Sequence, residues 1–198
     1  MPKQFKFYEE AGDAEPRFTC TLKGRRCTSK KADGTRCGNQ TVFGVPVCWR
    51  HLLKENSLRI GDSRIEGAGK GLFCSKTSKI PENVQRSREN VVFRAQDKLV
   101  EYIGDKIDQS EVARRYANRT APYGLEPRSG ELIDGACLRG IGAFVNHKSR
   151  TQANCRFSKA RDGKIWIVAT KPIYLGDEST VNYGSEYDFN DGSRHTTR

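Results

Sequence analysis

From Leu58 onward the chain is built of short apolar runs, each cut off by glycine or charge, and this texture restricts its fold more than any other feature. Leu58-Arg59-Ile60, Leu72-Phe73-Cys74, Lys98 to Ile103 and Leu132-Ile133-Asp134 are such runs, as are Ile141 to Val145, Ile165 to Ala169 and Val181-Asn182-Tyr183. Runs of three to six residues, rich in β-branched and aromatic side chains and separated by glycine, predict strands. They are too short to sustain the 3.6-residue period over several helical turns. None approaches the ~20 apolar residues that a bilayer-spanning helix needs. One helix is predicted, over Ser110 to Asn118, with Ser110 or Asp108 as its N-cap. The polar stretch from Pro81 to Gln96 reads as a surface loop inserted between two strands. The fold class is therefore mainly β, with small sheets and few short helices.

The first quarter of the chain has a different character. Four of the seven cysteines, Cys20, Cys27, Cys37 and Cys48, fall there. From Arg17 to Lys54 nine basic residues face a single carboxylate, Asp33, so +8 of the net +11 charge lies in that stretch. The predicted organisation is a flexible arm at 1–17, a small metal-binding module at 18–56, a larger domain at 57–189 and a tail at 190–198. The N-terminus lacks the apolar core of a signal peptide, so the expected compartment is nuclear or cytoplasmic, with the nucleus favoured by the basic charge. In a reducing compartment, clustered cysteines are more often metal ligands than disulfides.

Cys27, Cys37, Cys48 and His51 are separated by nine, ten and two intervening residues. Three thiolates and one imidazole make a common tetrahedral zinc set, and Cys48-Trp49-Arg50-His51 places two of the four on one turn. A module this small would draw its stability from a structural zinc. Cys20 is an alternative ligand. Cys74, Cys137 and Cys155 read as packing residues. The basic surface of the module also predicts a possible sequence-neutral contact with nucleic acid, against the simpler reading of a solvated charged face.

Five further motifs gain meaning from their order. The chain reads Glu66-Gly67-Ala68-Gly69-Lys70-Gly71-Leu72-Phe73, then Glu101-Tyr102-Ile103-Gly104-Asp105, then Leu132-Ile133-Asp134-Gly135. Gly142-Ala143-Phe144-Val145-Asn146-His147 with Asn154-Cys155 follows, and Gly176-Asp177-Glu178-Ser179-Thr180-Val181-Asn182-Tyr183-Gly184 closes the series. Over Leu58 to Phe189 this series resembles the SET-domain protein lysine methyltransferases, in the compact form without a zinc cluster after the domain. The preceding Cys3His module resembles a short finger found in many microbial and viral proteins.

The resemblance implies a fold of small β-sheets with a C-terminal pseudoknot. It also implies S-adenosylmethionine as the methyl donor and a lysine-bearing protein, histone or another, as the acceptor. Gly69, Lys70, Gly71 and Leu72 would hold the cofactor through their backbone, with Asn146, His147 and Tyr183 completing its site. Tyr183 would be the active-site tyrosine, Tyr102 a second hydroxyl near the lysine amine and Tyr123 a wall of the lysine channel. Departures from the family pattern are the longer segment between His147 and Asn154, Asn182 before the tyrosine, and Val181 where a larger side chain is common. The small Val181 predicts room for more than one methyl group. Tyr187 and Phe189 would either cover the channel or pack on the domain. The alternative is a SET fold that has lost catalysis and serves, with its finger, as a binding module for nucleic acid or chromatin protein.

Overall fold

The computed structural model describes residues 3–7, 18–41, 44–117, 120–185, 187 and 189. The tail expected at 190–198 and the end of the helix expected at Asn118 lie outside them. The chain opens with strands β1 (Lys3–Phe7) and β2 (Phe18–Leu22), followed by helix α1 (Trp49–Asn56). Next come β3 (Leu58–Asp62), β4 (Lys70–Cys74), β5 (Val91–Phe93), β6 (Lys98–Tyr102) and β7 (Asp105–Asp108). Helix α2 (Gln109–Tyr116) leads to β8 (Gly124–Arg128) and β9 (Glu131–Asp134). The series ends with β10 (Asn146–His147), β11 (Cys155–Lys159), β12 (Ile165–Ala169), β13 (Ile173–Tyr174) and β14 (Glu178–Val181).

These strands make five small sheets, ordered β1-β2, β10-β14-β4-β3, β11-β12-β6, β13-β5 and β7-β9-β8. The fold is thus mainly β, with two α-helices among the described residues. The main core gathers one face from several sheets: Leu58, Leu72, Cys74, Ile165, Ile167, Ile173 and Val181 are all essentially inaccessible. Each such aliphatic side chain contributes about 1.5–3 kcal/mol by leaving water. In the four-stranded sheet the last strand, β14, lies between two earlier ones. It runs parallel to β10, with His147 opposite Val181, and antiparallel to β4, with Ser179 opposite Leu72.

Helix α2 starts where the polar signal placed it. Asp108 caps it, its carboxylate accepting from the Glu111 N–H at 2.9 Å. Helix α1 ends at Ser57, which takes the left-handed conformation (φ 55°) and donates its N–H to the Leu53 carbonyl. Three strand expectations change. The strand expected at Val181-Asn182-Tyr183 is Glu178–Val181, with Asn182 and Tyr183 beyond its end. Ile141–Phe144 is a 3-10 turn rather than a strand. Gly142 packs so closely on β6 that a Cβ would stand 3.2 Å from the Glu101 carbonyl oxygen, and the tighter turn permits that approach. Within the stretch expected as a surface loop, Val91–Phe93 forms a strand paired with Ile173–Tyr174.

The N-terminal region is tied to the rest of the chain. Part of the expected arm, Lys3–Phe7, pairs antiparallel with Phe18–Leu22. Cys20 in β2 is joined to Cys137 by a disulfide, so Cys20 is not available as a metal ligand and Cys137 is more than a packing residue. Cys20 and Leu22 bury against Tyr116 and Ala136, while Val45 and Leu52 enter the main core. The small basic module therefore shares its hydrophobic core with the larger domain.

Candidate functional site

The cysteine and histidine side chains of the basic module converge. The Sγ atoms of Cys27, Cys37 and Cys48 and a ring nitrogen of His51 all lie within 4.8 Å of one another, with the three cysteines buried. His51 Nδ1 is 3.3 Å from Cys48 Sγ and 3.5 Å from Cys27 Sγ. A tetrahedron with Zn–S of about 2.3 Å and Zn–N of about 2.0 Å has edges of roughly 3.5–3.8 Å. The donor set and its dimensions fit a zinc ion. The supporting contacts favour thiolate as well: the Cys48 N–H donates to Cys27 Sγ at 3.2 Å, and the Asn39 backbone and amide donate to Cys37 and Cys48. Burial would raise the Cys48 thiol, but hydrogen bonds from the His51 backbone and the Asn39 amide outweigh it and bring it down to about 6.

On the larger domain the residues singled out by the motifs gather into two adjoining groups. The first is a tyrosine-walled pocket of about 350 Å³, including its open mouth, lined by Tyr102, Tyr123, Val145, Phe157, Tyr183 and Tyr187 among others. The Tyr102 hydroxyl donates to the Tyr123 carbonyl at 2.7 Å, and the Gly135 N–H donates to the same oxygen at 2.9 Å. Tyr183 donates its hydroxyl to the Val145 carbonyl at 2.9 Å. Burial, reinforced by neighbouring tyrosines, pushes both the Tyr102 and Tyr183 phenols well above their ordinary range, so both stay protonated. The Arg139 guanidinium, itself buried, stacks 4.0 Å from the centre of the Tyr123 ring.

The second group surrounds Asn146. Its amide nitrogen donates to the Lys70 carbonyl at 3.0 Å, to Glu178 Oε1 at 2.9 Å and to Ser63 Oγ at 3.1 Å. Glu178 also accepts from the Ser63 hydroxyl at 2.7 Å and from the Arg64 N–H at 2.9 Å. Gly71 sits against this carboxylate so closely that a Cβ would collide with it. Gly69 has φ of +68°, a conformation suited to glycine, and open space where a Cβ would stand. This curled backbone beside an oriented amide fits a polar, zwitterionic ligand such as S-adenosylmethionine. Leu72 is different: its side chain lies in the main core, so only its backbone could serve such a ligand.

His147 joins the two groups. Its Nδ1 accepts from the Tyr183 N–H at 3.1 Å, and its ring stacks edge-on with Tyr183 at 5.3 Å and Phe189 at 4.9 Å. Burial lowers its pKa, favouring the neutral ring. Tyr187 packs 4.8 Å from Tyr183 and also lines the pocket, whereas Phe189 remains 58% exposed.

The longer segment after His147 closes as a turn and leaves the neighbourhood intact. The Lys148 N–H bonds to the Val181 carbonyl, and the Asn154 amide clamps β14 through the Glu178 carbonyl and the Thr180 N–H. Val181 is fully buried in the core and does not line the pocket, so its size gives no measure of room for methyl groups. Ser63 and Glu178 were not singled out from sequence. The signal that could have found Glu178 is its place in the last strand, five residues before Tyr183.

The SET domain family model matches residues 69–184. Among solved structures, the crystal structure of the Chaetomium thermophilum polycomb repressive complex 2 is similar over 69% of this chain and 16% of that chain, at 22% identity and a TM-score of 0.52. An inhibitor-bound humanized mutant of the same complex is similar over 72% of this chain and 17% of that chain, at 21% identity and a TM-score of 0.51. The chain thus spans about a sixth of the length of those proteins. At this identity the likeness is one of fold.

Proposed function

The chain belongs to the SET domain family, and we propose that it is a protein lysine N-methyltransferase using S-adenosylmethionine. The observation that carries this reading is the junction at His147. One hydrogen bond from Tyr183 links the tyrosine pocket to the Asn146 group, so an amine in the first would meet a methyl donor in the second. Bound S-adenosylmethionine would supply a methyl group carried on a positively charged sulfonium. Gly69, Lys70, Gly71 and Leu72 would hold it by their backbone, and Asn146, His147 and Tyr183 would line its site.

The pocket suits the acceptor. A free lysine amine has a pKa of ~10.4 and is charged near neutrality. Walls of Tyr102, Tyr123, Phe157 and Tyr183 withdraw it from water, which disfavours the ammonium and releases its proton toward the open mouth. Because the Tyr102 and Tyr183 hydroxyl hydrogens are already given to main-chain carbonyls, the oxygen lone pairs remain to accept from the amine or from a polarised methyl group. The phenols act as fixed dipoles, not as bases, and alignment supplies the rate.

In this reading the acceptor is a lysine-bearing protein, with histones the first to test, and the working compartment is the nucleus. The polycomb name of two similar structures accords with that choice. The domain organisation is a zinc module at 18–56, with Cys27, Cys37, Cys48 and His51 as structural ligands, serving the methyltransferase domain at 57–189. The test is transfer of labelled methyl from S-adenosylmethionine to histones and to cell extract, with Tyr183→Phe as the comparison. Transfer that falls about tenfold or more in the variant is expected. No transfer together with no cofactor binding by calorimetry overturns the proposal.

A further inference from the structure

The cations of the basic module are unusual in how little the protein does to neutralise them. Between residues 18 and 56 there are eight, Lys23, Arg25, Arg26, Lys30, Lys31, Arg36, Arg50 and Lys54, and all eight are exposed. Among the described residues, none of them makes an ion pair with a carboxylate. Elsewhere pairing is common: Lys70 with Asp62, Arg86 with Asp177, Arg114 and Arg115 with Glu111, and Lys164 with Glu101. The module's own carboxylates are spent locally, Asp33 on Thr35 and Glu55 on Ser29. Arg26 and Arg36 donate instead to main-chain carbonyls across the module, which fixes their positions without cancelling their charge.

At one edge of this surface stands Trp49, 51% exposed. The guanidinium groups of Arg50 and Arg59 lie 5.3 and 5.4 Å from its ring centre. Stacking holds the exposed Arg50 guanidinium flat and leaves its edge N–H groups to meet an anion bidentately. Nε and Nη1 of Arg59 are buried without a hydrogen-bond partner, so the guanidinium beside Trp49 keeps a charge that no internal contact cancels.

We propose that the zinc-braced module, with Arg59, is a docking face for the phosphate backbone of duplex DNA. Charge complementarity favours a polyanion, and duplex DNA presents one phosphate charge per ~1.7 Å of axis. An acidic protein partner would need an apolar anchor site, and Trp49 is the one large hydrophobic exposed among the module's described residues. Single-stranded nucleic acid binds by base stacking on open aromatic faces, whereas the Trp49 indole is already engaged by two arginines. The contact is to backbone, without sequence preference. This inference stands apart from the catalytic reading, since it concerns binding alone.

The experiment is fluorescence anisotropy of a labelled 20-base-pair duplex with the full zinc-loaded chain, repeated between 50 and 200 mM salt. A log–log salt slope of about −3 to −5 is expected. Arg50→Ala with Arg59→Ala should weaken binding about tenfold at 100 mM salt and reduce the slope by about two. Lys98→Ala with Lys106→Ala, an equal loss of charge elsewhere, should change affinity less than about twofold. Should the arginine pair lose its fold, Lys30→Ala with Lys54→Ala decides in its place, with the same expected fall in slope. Equal losses in the module and control pairs overturn the proposal. So does tighter or equal binding of a single-stranded 20-mer or of polyglutamate.

Discussion

Glu178→Gln isolates the carboxylate that holds the first loop of the domain to its last strand. Glu178 is half-buried and takes three donors, Ser63 Oγ, Asn146 Nδ2 and the Arg64 N–H, at 2.7–2.9 Å. Glutamine has the same shape but one oxygen. If that oxygen keeps Ser63 and Asn146, the new amide nitrogen faces the Arg64 N–H, donor against donor. Each hydrogen bond to a charged group is worth about 1.5–3 kcal/mol and each neutral one about 0.5–1.5 kcal/mol, so at the low ends losing charge at two bonds costs about 2 kcal/mol and losing the third about 1.5 kcal/mol more. Water can rehydrate the exposed Arg64 N–H, which brings the expected loss to about 2 kcal/mol. For a chain of this size that lowers the melting temperature by about 4–8 °C. Asn146 also loses its orientation, and a cost of about 1.4 kcal/mol there means tenfold weaker S-adenosylmethionine. Denaturant titration and calorimetry measure the two effects separately. A variant that melts lower yet binds the cofactor with unchanged affinity would refute the coupling of Glu178 to Asn146, and no change in either would refute the whole network.

Stripping metal with a chelator should release one zinc per chain, detected by a metal-sensitive dye, and lower the melting temperature of the entire chain, because Leu52 and Val45 join the module to the main core; no released metal refutes the Cys3His assignment. Asp134→Ala removes a fully buried carboxylate that accepts from Arg115 at 2.8 Å, Tyr116 at 2.7 Å and the Ala136 N–H at 2.9 Å. Leaving those donors stranded should cost about 3–5 kcal/mol by urea denaturation. His147 has a lowered pKa from burial, so its neutral form is the one folding prefers. Its contribution is complete above the unfolded pKa of ~6.5 and is lost as pH falls through that value. Wild type should therefore lose more stability between pH 7.5 and 5.5 than His147→Gln does, and equal losses would contradict the reading.

The strands that carry the core were legible because their apolar runs are short, β-branched and bounded by glycine, as at Lys98–Tyr102 and Ile165–Ala169. Val91–Phe93 was not, since charged neighbours on both sides masked three residues that pair with Ile173–Tyr174. Ile141–Phe144 has strand-like composition, but close packing of Gly142 against β6 selects the tighter turn. Helix α1 offered too few residues for a period, and its αL end at Ser57 carries no glycine to announce it. The motif residues at the site were readable from their order. Ser63 and Glu178 were not, because their roles arise from contacts across 115 residues of chain. The Cys20–Cys137 link, spanning 117 residues, is equally invisible to local spacing.

The position of β14 has a consequence for how the protein comes into being. Its partners β4 and β10 lie more than 100 and about 30 residues earlier in the chain, and Glu178 and Tyr183 are supplied by it or by the residues that follow it. Contacts of such separation are slow to form, since loop closure must precede their reward. During synthesis everything through β13 can emerge and collapse while the edge of β4 waits unpaired. Neither the Asn146 cluster nor the tyrosine pocket can be complete until that last strand arrives. The two groups of side chains therefore come together only after residues 178–183 have emerged, and the unpaired β4 edge leaves that interval the one most open to misassembly.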